Sequence, residues 1–288
     1  MVACVPPAAR GSGDAPHDAG TLRALMETSD INERFSGIDR LYGVGSVVRL
    51  ARAHVCIIGI GGVGSWVVEA LARSGIGRLT LIDADDVCVS NTNRQLHALD
   101  GEFGKPKVAV MANRAKKIHP GIRIDALEQF LTPANLESLL DRGYDMVVDC
   151  CDAFRVKVVT IAWCRRRKLP LITCGSAGGR TDPTLIAVRD LSKTEHDAML
   201  ALVRKKLREE FHFPRGPKRY FGVQAVYSRE NVRYPQPDGS VCGTRPEQGE
   251  TLKLDCGGGL GAATHVTAAF AFAAVSRVIE RLLKPKPT

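Results

Sequence analysis

Apolar positions along this chain fall into short solid runs that alternate with amphipathic stretches. Val55–Ile58 is an apolar run with β-branched residues, and Gly59-Ile60-Gly61-Gly62-Val63-Gly64 follows it. Apolar spacing then becomes helical from Ser65 to Ser74, where Gly75 and Gly77 stop it, and Leu79–Ile82 is the next solid run. The alternation continues with helices over Pro106–Ile118, Pro133–Arg142 and Phe154–Lys168, and strands over Arg123–Phe130, Tyr144–Val148, Leu169–Cys174 and Thr184–Asp190. Solid apolar strands are buried on both faces, and helices between them imply parallel crossovers. The expected fold is therefore α/β, a doubly wound Rossmann-like sheet over residues 53–190. Residues 191–288 add a C-terminal α/β extension within the same fold. It carries a basic helix Ala198–Phe211, a strand Phe221–Ser228 and a final apolar helix Thr264–Leu283. Upstream, residues 21–52 read as a helical segment, and residues 1–20, rich in Ala, Gly and Pro, as a disordered tail without the apolar core of a signal peptide. No internal repeat is visible.

The glycine-rich turn fits G-x-G-x-x-G with one extra glycine. Such a turn lets backbone approach a phosphate, and the helix after it offers free N–H groups and a positive dipole end. Asp83, about 20 residues beyond the glycines, ends the next strand where an acid can bind ribose hydroxyls. By itself this pattern says nucleotide, and its default reading is a dinucleotide dehydrogenase.

The segments that follow change the chemistry. Asp83-Ala84-Asp85 leads to Ser90-Asn91-Thr92-Asn93-Arg94-Gln95, then to Pro106-Lys107-Val108, and the strand Tyr144–Val148 runs into Asp149-Cys150-Cys151-Asp152. In order and spacing, this set resembles the ThiF/MoeB/ubiquitin-activating superfamily of ATP-dependent adenylating enzymes. The resemblance implies ATP bound by Gly59, Gly61, Gly62, Gly64, Asp83, Asp85, Asn91, Arg94 and Lys107. It makes Arg94, Lys107 and Asp152 catalytic, with Asp152 holding Mg2+ against the phosphates. It also implies a homodimer in which a basic residue ahead of the first strand reaches the partner's nucleotide. Arg40 fits that role best by its distance to Gly43, and Arg34 is the alternative. The residue types suit the reaction. Charge gathers around phosphorus as a carboxylate attacks the α-phosphate, and fixed cations stabilise it. Arg94 offers a guanidinium fork and Lys107 a point charge, while magnesium takes few carboxylates plus substrate oxygens. Asp152 also stands where it could cap the helix that follows, and Arg94 and Lys107 could be ordinary solvated charges.

Composition narrows the picture. Apolar residues make up 44% of 288, enough for a core, and the formal net charge of +9 suggests a polyanionic partner. The nine cysteines show no disulfide spacing and read as small buried thiols of a reducing compartment, the cytoplasm. No C-x-x-C occurs, which argues against the structural zinc of sulfur-carrier-activating relatives. The apolar run Val266–Val275 is too short to span a bilayer, so membrane attachment is not expected and a core or dimer-interface helix is.

A narrower resemblance emerges from DDVCVSNTNRQ, CRRRKLP, GSAGGRTDPT, DLSKTEHD and YPQPDGSVC. These segments are similar to the tRNA threonylcarbamoyladenosine dehydratase branch, over residues 34–283. That likeness implies adenylation of the carboxylate of threonylcarbamoyladenosine beside the anticodon, then ring closure within the same side chain. Intramolecular closure lets proximity replace a dedicated nucleophile, which suits a chain with phosphate clamps and no Ser/His/Asp set. Arg204, Lys205, Arg208 and Lys218 on and after the basic helix are the expected tRNA contacts, with Arg165-Arg166-Arg167-Lys168 a second candidate. Cys256, before three glycines, could receive sulfur or an acyl group, though cyclisation does not need it. A cysteine-desulfurase or sulfur-acceptor partner and a monovalent-cation site stay open. The rival readings are activation of a sulfur-carrier or ubiquitin-like protein, an NAD-dependent dehydrogenase, and a nucleotide-sensing scaffold without turnover.

Overall fold

The computed structural model describes residues 31, 33–216, 218–244 and 260–284. A helix over residues 33–42 (α1) and helix α2 (Ser46–Ala51) precede the sheet. The strands are β1 (His54–Ile58), β2 (Arg78–Ile82), β3 (Arg123–Leu127), β4 (Met146–Asp149), β5 (Leu171–Cys174), β6 (Ile186–Asp190) and β7 (Gln224–Ser228). The helices among them are α3 (Gly64–Arg73), α4 (Lys107–Ile118), α5 (Leu136–Leu140), α6 (Phe154–Arg166) and α7 (Ala198–Glu210). A two-stranded ribbon of β8 (Tyr234–Pro235) and β9 (Val241–Cys242) precedes the last helix, α8 (Thr264–Leu283).

The seven strands form one sheet in the order β3-β2-β1-β4-β5-β7-β6, parallel except for the β6–β7 pair. Alternation along β1 sorts the core into two layers. Val55 and Ile57 face α3, α4 and α8, whereas Cys56 and Ile58 face α5, α6 and α7. Strand order reverses between β1 and β4, where Ile58 lies opposite Asp149. In open α/β sheets, ligands bind in the crevice outside the strand ends at such a switch point. Residues beyond 190 complete this sheet, because β7 inserts between β5 and β6 and α8 packs on α3. Among the described residues, no helix is long and apolar enough to cross a membrane.

Several expected element ends move, each for a local reason. The helical segment before the sheet breaks at Gly43 and Gly45, both at positive φ, and the Asp39 carboxylate caps the start of α2 through the Val47 N–H at 2.8 Å. The strand expected from Phe221 starts at Gln224, because the N–H groups of Phe221, Gly222 and Val223 bond the Asp190 carboxylate instead. The helix expected from Pro133 starts at Leu136, because Asn135 Oδ1 accepts the Thr132 N–H at 2.7 Å and fixes a turn. α6 stops at Arg166, two residues early, and Lys168 sits in the left-handed region at φ 56. β3 is likewise shorter than the expected Arg123–Phe130, ending at Leu127 where Gln129 N turns back onto the Leu127 carbonyl.

Candidate active site

The glycine turn is fixed by close backbone contact. Gly59 has φ 83, and a Cβ there would lie 2.9 Å from the Cys151 nitrogen; one on Gly64 would lie 1.8 Å from the Gly59 carbonyl oxygen. Gly61 differs, since a Cβ there meets only Gln95 Nε2, at 3.9 Å. Gly59 and Gly64 are thus required by the protein itself, while Gly61 leaves room for a ligand. The start of α3 faces the same space and brings N–H groups without intrahelical partners.

Asp83 at the end of β2 secures the turn. One carboxylate oxygen accepts the Ile60 N–H at 2.6 Å and the other the Asp85 N–H at 2.9 Å. Burial pushes its pKa up, and those two N–H bonds offset part of the rise. The acid presented outward is Asp85, with 52% side-chain exposure, paired at 2.8 Å with Lys107, whose own side chain is 7% exposed. Lys107 opens α4, and its backbone N–H also bonds the Asp85 carbonyl, so one short segment holds both ends of the residue.

The Ser90–Gln95 segment packs over the turn. A Cβ on Gly62 would touch Arg94 Cγ at 3.5 Å. The Arg94 carbonyl accepts from Trp66 Nε1 on α3 and Thr267 Oγ1 on α8, both at 3.3 Å. Thr264 bonds the Asn93 carbonyl at 2.6 Å, and Asn93 Nδ2 bonds the Ala262 carbonyl at 2.8 Å. Among the described residues, the Arg94 guanidinium bonds only the Ser90 carbonyl and Asn93 Oδ1 and has no acid paired to it. Asn91 is buried, with Oδ1 on the Cys88 N–H and Nδ2 without a partner. Among the described residues, Gln95 Oε1 and both His97 ring nitrogens are also buried without a partner. Burial, reinforced by the Lys107 charge, pushes the His97 pKa down to about 4.

Asp149 and Asp152 at the end of β4 behave oppositely. Asp149 is fully buried and bonds Lys157 Nζ and Thr173 Oγ1, each at 2.7 Å, and the Cys151 N–H at 3.2 Å. Burial alone would lower the Lys157 pKa, but the Asp149 charge outweighs it and holds the amine protonated. Asp152 is exposed and, among the described residues, has no hydrogen-bond or ion partner. It does not cap α6, whose N-cap is Ala153 without a side-chain bond.

The structure therefore gathers Gly59, Gly61, Gly62, Gly64, Asp83, Asp85, Asn91, Arg94, Lys107 and Asp152 around one turn at the switch point. It places Arg40 elsewhere. α1 sets Phe35 against Gly75 and His119, at the far ends of α3 and α4, and the exposed Arg40 bonds Ser36 Oγ at 3.3 Å. The basic helix is also not a row of free cations. Arg204 turns inward to Thr194 Oγ1, Lys205 and Lys206 pair with Glu209 and Glu210, and Arg208 lies 5.2 Å over the Phe221 ring. Lys218 is exposed, and Cys256 lies outside the described residues. Cys150 and Cys151 are held as thiols: hydrogen bonding with Cys174 and burial raise the first, burial and Asp149 the second. Sequence reasoning missed Gln95, Lys157, Thr173 and Thr267. Lys157 is one of several basic residues on α6, so nothing in the sequence set it apart.

The unpartnered Asn91 and Gln95 atoms, the open space at Gly61 and the unpaired Arg94 suit a nucleotide triphosphate. Among the described residues no group of three or more His, Cys, Asp or Glu could hold a metal. The donor set offers one free carboxylate, Asp152, which suits a magnesium ion carried largely by phosphate oxygens.

The ThiF family matches residues 37–288 of the chain. The tRNA threonylcarbamoyladenosine dehydratase of Haemophilus influenzae is 49% identical over 265 residues, 92% of this chain and 99% of that protein. A crystal structure of the Escherichia coli enzyme, TcdA, in complex with ATP is 44% identical, with TM-score 0.78, 88% of this chain and 94% of that chain covered. The same enzyme in complex with AMP gives TM-score 0.77 at 44% identity, with 88% and 95% covered. With nearly full-length agreement in both sequence and fold, the chain belongs to the ThiF family, beside its tRNA threonylcarbamoyladenosine dehydratases.

Proposed function

We propose that this protein uses ATP to dehydrate N6-threonylcarbamoyladenosine in tRNA next to the anticodon. The carboxylate of the modified base attacks the α-phosphate of ATP, an acyl–adenylate forms and pyrophosphate leaves. An atom of the same side chain then attacks the acyl carbon and closes the ring. AMP departs with the former carboxylate oxygen, so the base loses one water. The observation that carries this reading is the meeting of Arg94, Lys107 and Asp152 around a glycine turn at the switch point.

Each role follows from the surroundings. Arg94 has no acidic partner among the described residues and directs its charge to the phosphates. Lys107 starts on Asp85 and transfers part of its bonding to the triphosphate, which frees Asp85 for the ribose. Asp83, with both oxygens committed to backbone, keeps the turn in shape. Asn91 Nδ2 supplies a donor to a phosphate or ribose oxygen. Asp152 is the residue to hold Mg2+, which when bound would neutralise the β- and γ-phosphates of the leaving group. Arg40, remote from the turn of its own chain, acts on the nucleotide of a second copy in a homodimer. No step needs a thiol, so neither Cys256 nor a sulfur-transfer partner enters the reaction, and the unpaired cysteines suit the cytoplasm.

The test is mass analysis of tRNA nucleosides after incubation with protein, ATP and Mg2+. The modified adenosine loses one water, and Asp152→Ala abolishes the loss while the protein stays folded. Unchanged nucleosides with the wild-type protein would overturn the proposal.

A further inference from the structure

The sheet has a second charged opening, at the edge opposite the glycine turn. A groove of about 400 Å3 lies beneath the starts of β4, β5 and β7, between the C-terminal ends of α6 and α8. Arg165 and Lys168 line it from α6 and the turn beyond, and Arg277, Arg281 and Lys284 from α8 and its end. Among the described residues Glu280 is the lone acid on its wall, and it is already taken by Arg277 Nη1 at 2.8 Å. Arg277 Nε is buried with no hydrogen-bond partner. Among the described residues, Arg165, Lys168, Arg281 and Lys284 have no acidic partner either.

Cations near helix C-termini are partly explained by the helix dipole, which places about half a negative charge at each C-terminus. Two such ends and one carboxylate leave an excess of about three positive charges here. The Arg165 guanidinium packs close on Gly222, which sits at φ 69: a Cβ there would lie 3.2 Å from one guanidinium nitrogen. The groove also shares Arg165 with a neighbouring hollow that carries Arg166 and the exposed Tyr220.

We propose that this groove binds the phosphodiester backbone of the tRNA substrate, as a contact separate from the nucleotide site. The inference rests on the function proposed above, which supplies a polyanion far larger than ATP. The groove lies a strand length from the glycine turn, about 15 Å at about 3.3 Å per residue, so ATP at the turn does not reach it. Lys and Arg without acidic partners supply affinity for phosphate independent of sequence. The site therefore sets how tightly tRNA is held and leaves the adenylation step untouched.

The test compares Lys168→Gln/Arg281→Gln with the wild-type protein in steady-state dehydration of modified tRNA over a range of salt. KM for tRNA should rise at least ~10-fold, and the slope of log KM against log salt should shrink by about two, one for each lost phosphate contact. kcat at saturating tRNA and KM for ATP should not change. Lys168→Arg/Arg281→Lys keeps both charges and should retain the wild-type values. An unchanged tRNA KM and salt slope in the Gln variant overturn the inference, as does an equal loss in the charge-preserving variant. Sedimentation with phosphatidylserine vesicles that the Gln variant loses, at unchanged tRNA KM, would assign the groove to a lipid surface and also overturn it. Absence of dehydration by the wild-type protein is a different failure, that of the function itself.

Discussion

The two edges of the sheet treat charge in opposite ways. At the C-terminal edge, around the glycine turn, most charged groups are held by partners within the protein, while among the described residues Arg94 and Asp152 lack a counter-charge. Asp83 is tied to two backbone N–H groups, Lys107 to Asp85, and Asp149 to Lys157 and Thr173. At the N-terminal edge, four cations line a groove with no acid paired to them among the described residues. Fixed charge suits chemistry, because dipoles and ions that need not reorganise stabilise a transition state most. Loose charge suits a flexible polyanion, whose counterions it displaces without demanding one geometry. The contrast teaches that one fold separates positioning from attraction by sheet edge.

The sharpest way to break the contrast is at Lys157. Replacing it by Met leaves Asp149 charged and unpaired in the core. Removal of one partner of a buried ion pair costs about 3–5 kcal/mol, and denaturant unfolding should show a loss of that size. A cost below about 1 kcal/mol would mean that Asp149 relaxes to water and that the edge is not rigid. Arg94→Ala tests the catalytic half of the claim. Removing one fixed group that stabilises developing charge costs about 100- to 1000-fold in kcat. The fold should persist, since the aliphatic part of Arg94 only rests against Gly62. A drop confined to KM for ATP would recast Arg94 as a binding residue.

The two kinds of glycine sharpen the same point. Gly64→Ala drives a methyl into the Gly59 carbonyl and should cost about 1–3 kcal/mol of stability, as overpacking does. Gly61→Ala meets open space and should leave the melting temperature nearly unchanged while it weakens ATP binding by titration calorimetry. Equal effects on stability would sink the view that Gly61 is kept for the ligand.

His97 gives a weaker, pH-dependent test. Its folded pKa of about 4 lies below the ordinary 6.5, so the folded state requires the neutral ring. Its contribution is fully present above pH 6.5 and is lost as the pH falls toward 4. At pH 6 the loss is still below about 1 kcal/mol. Replacement by Gln should flatten the stability profile in that window only, and a profile that keeps its slope would place the titration elsewhere.

Much of the C-terminal edge was legible in the chain because backbone rules wrote it. A strand, a glycine turn and a helix need particular residue types in a particular order, so Gly59, Asp83, Arg94 and Lys107 stand out. Lys157 and Thr173 did not, because their meaning depends on a buried contact between a helix and two strands that no spacing reveals. The N-terminal groove was half visible. Arg165 and Lys168 form a run, but Arg281 and Lys284 join them only when α8 folds back across the sheet. Asp83 shows a complementary case: its place at the strand end was legible, but not that both its oxygens accept backbone N–H groups while Asp85 faces outward.

The smallest expected effect is on α7, where a run of basic letters suggested an RNA surface. Arg204 and Arg208 are engaged inward, and Lys205 and Lys206 are matched by Glu209 and Glu210 on the same face. Two lysines against two glutamates leave that face neutral, and exposed pairs of this kind are worth about 0.2–1 kcal/mol. Neutralising both lysines therefore removes little attraction for phosphate and unmasks two acids that do not line the groove. Lys205→Ala/Lys206→Ala should change KM for tRNA by no more than about twofold and leave the salt slope within one unit of wild type. A loss as large as that from Lys168 and Arg281 would mean that tRNA breaks the α7 ion pairs on binding, and the neutral face would then be a resting state of the RNA surface.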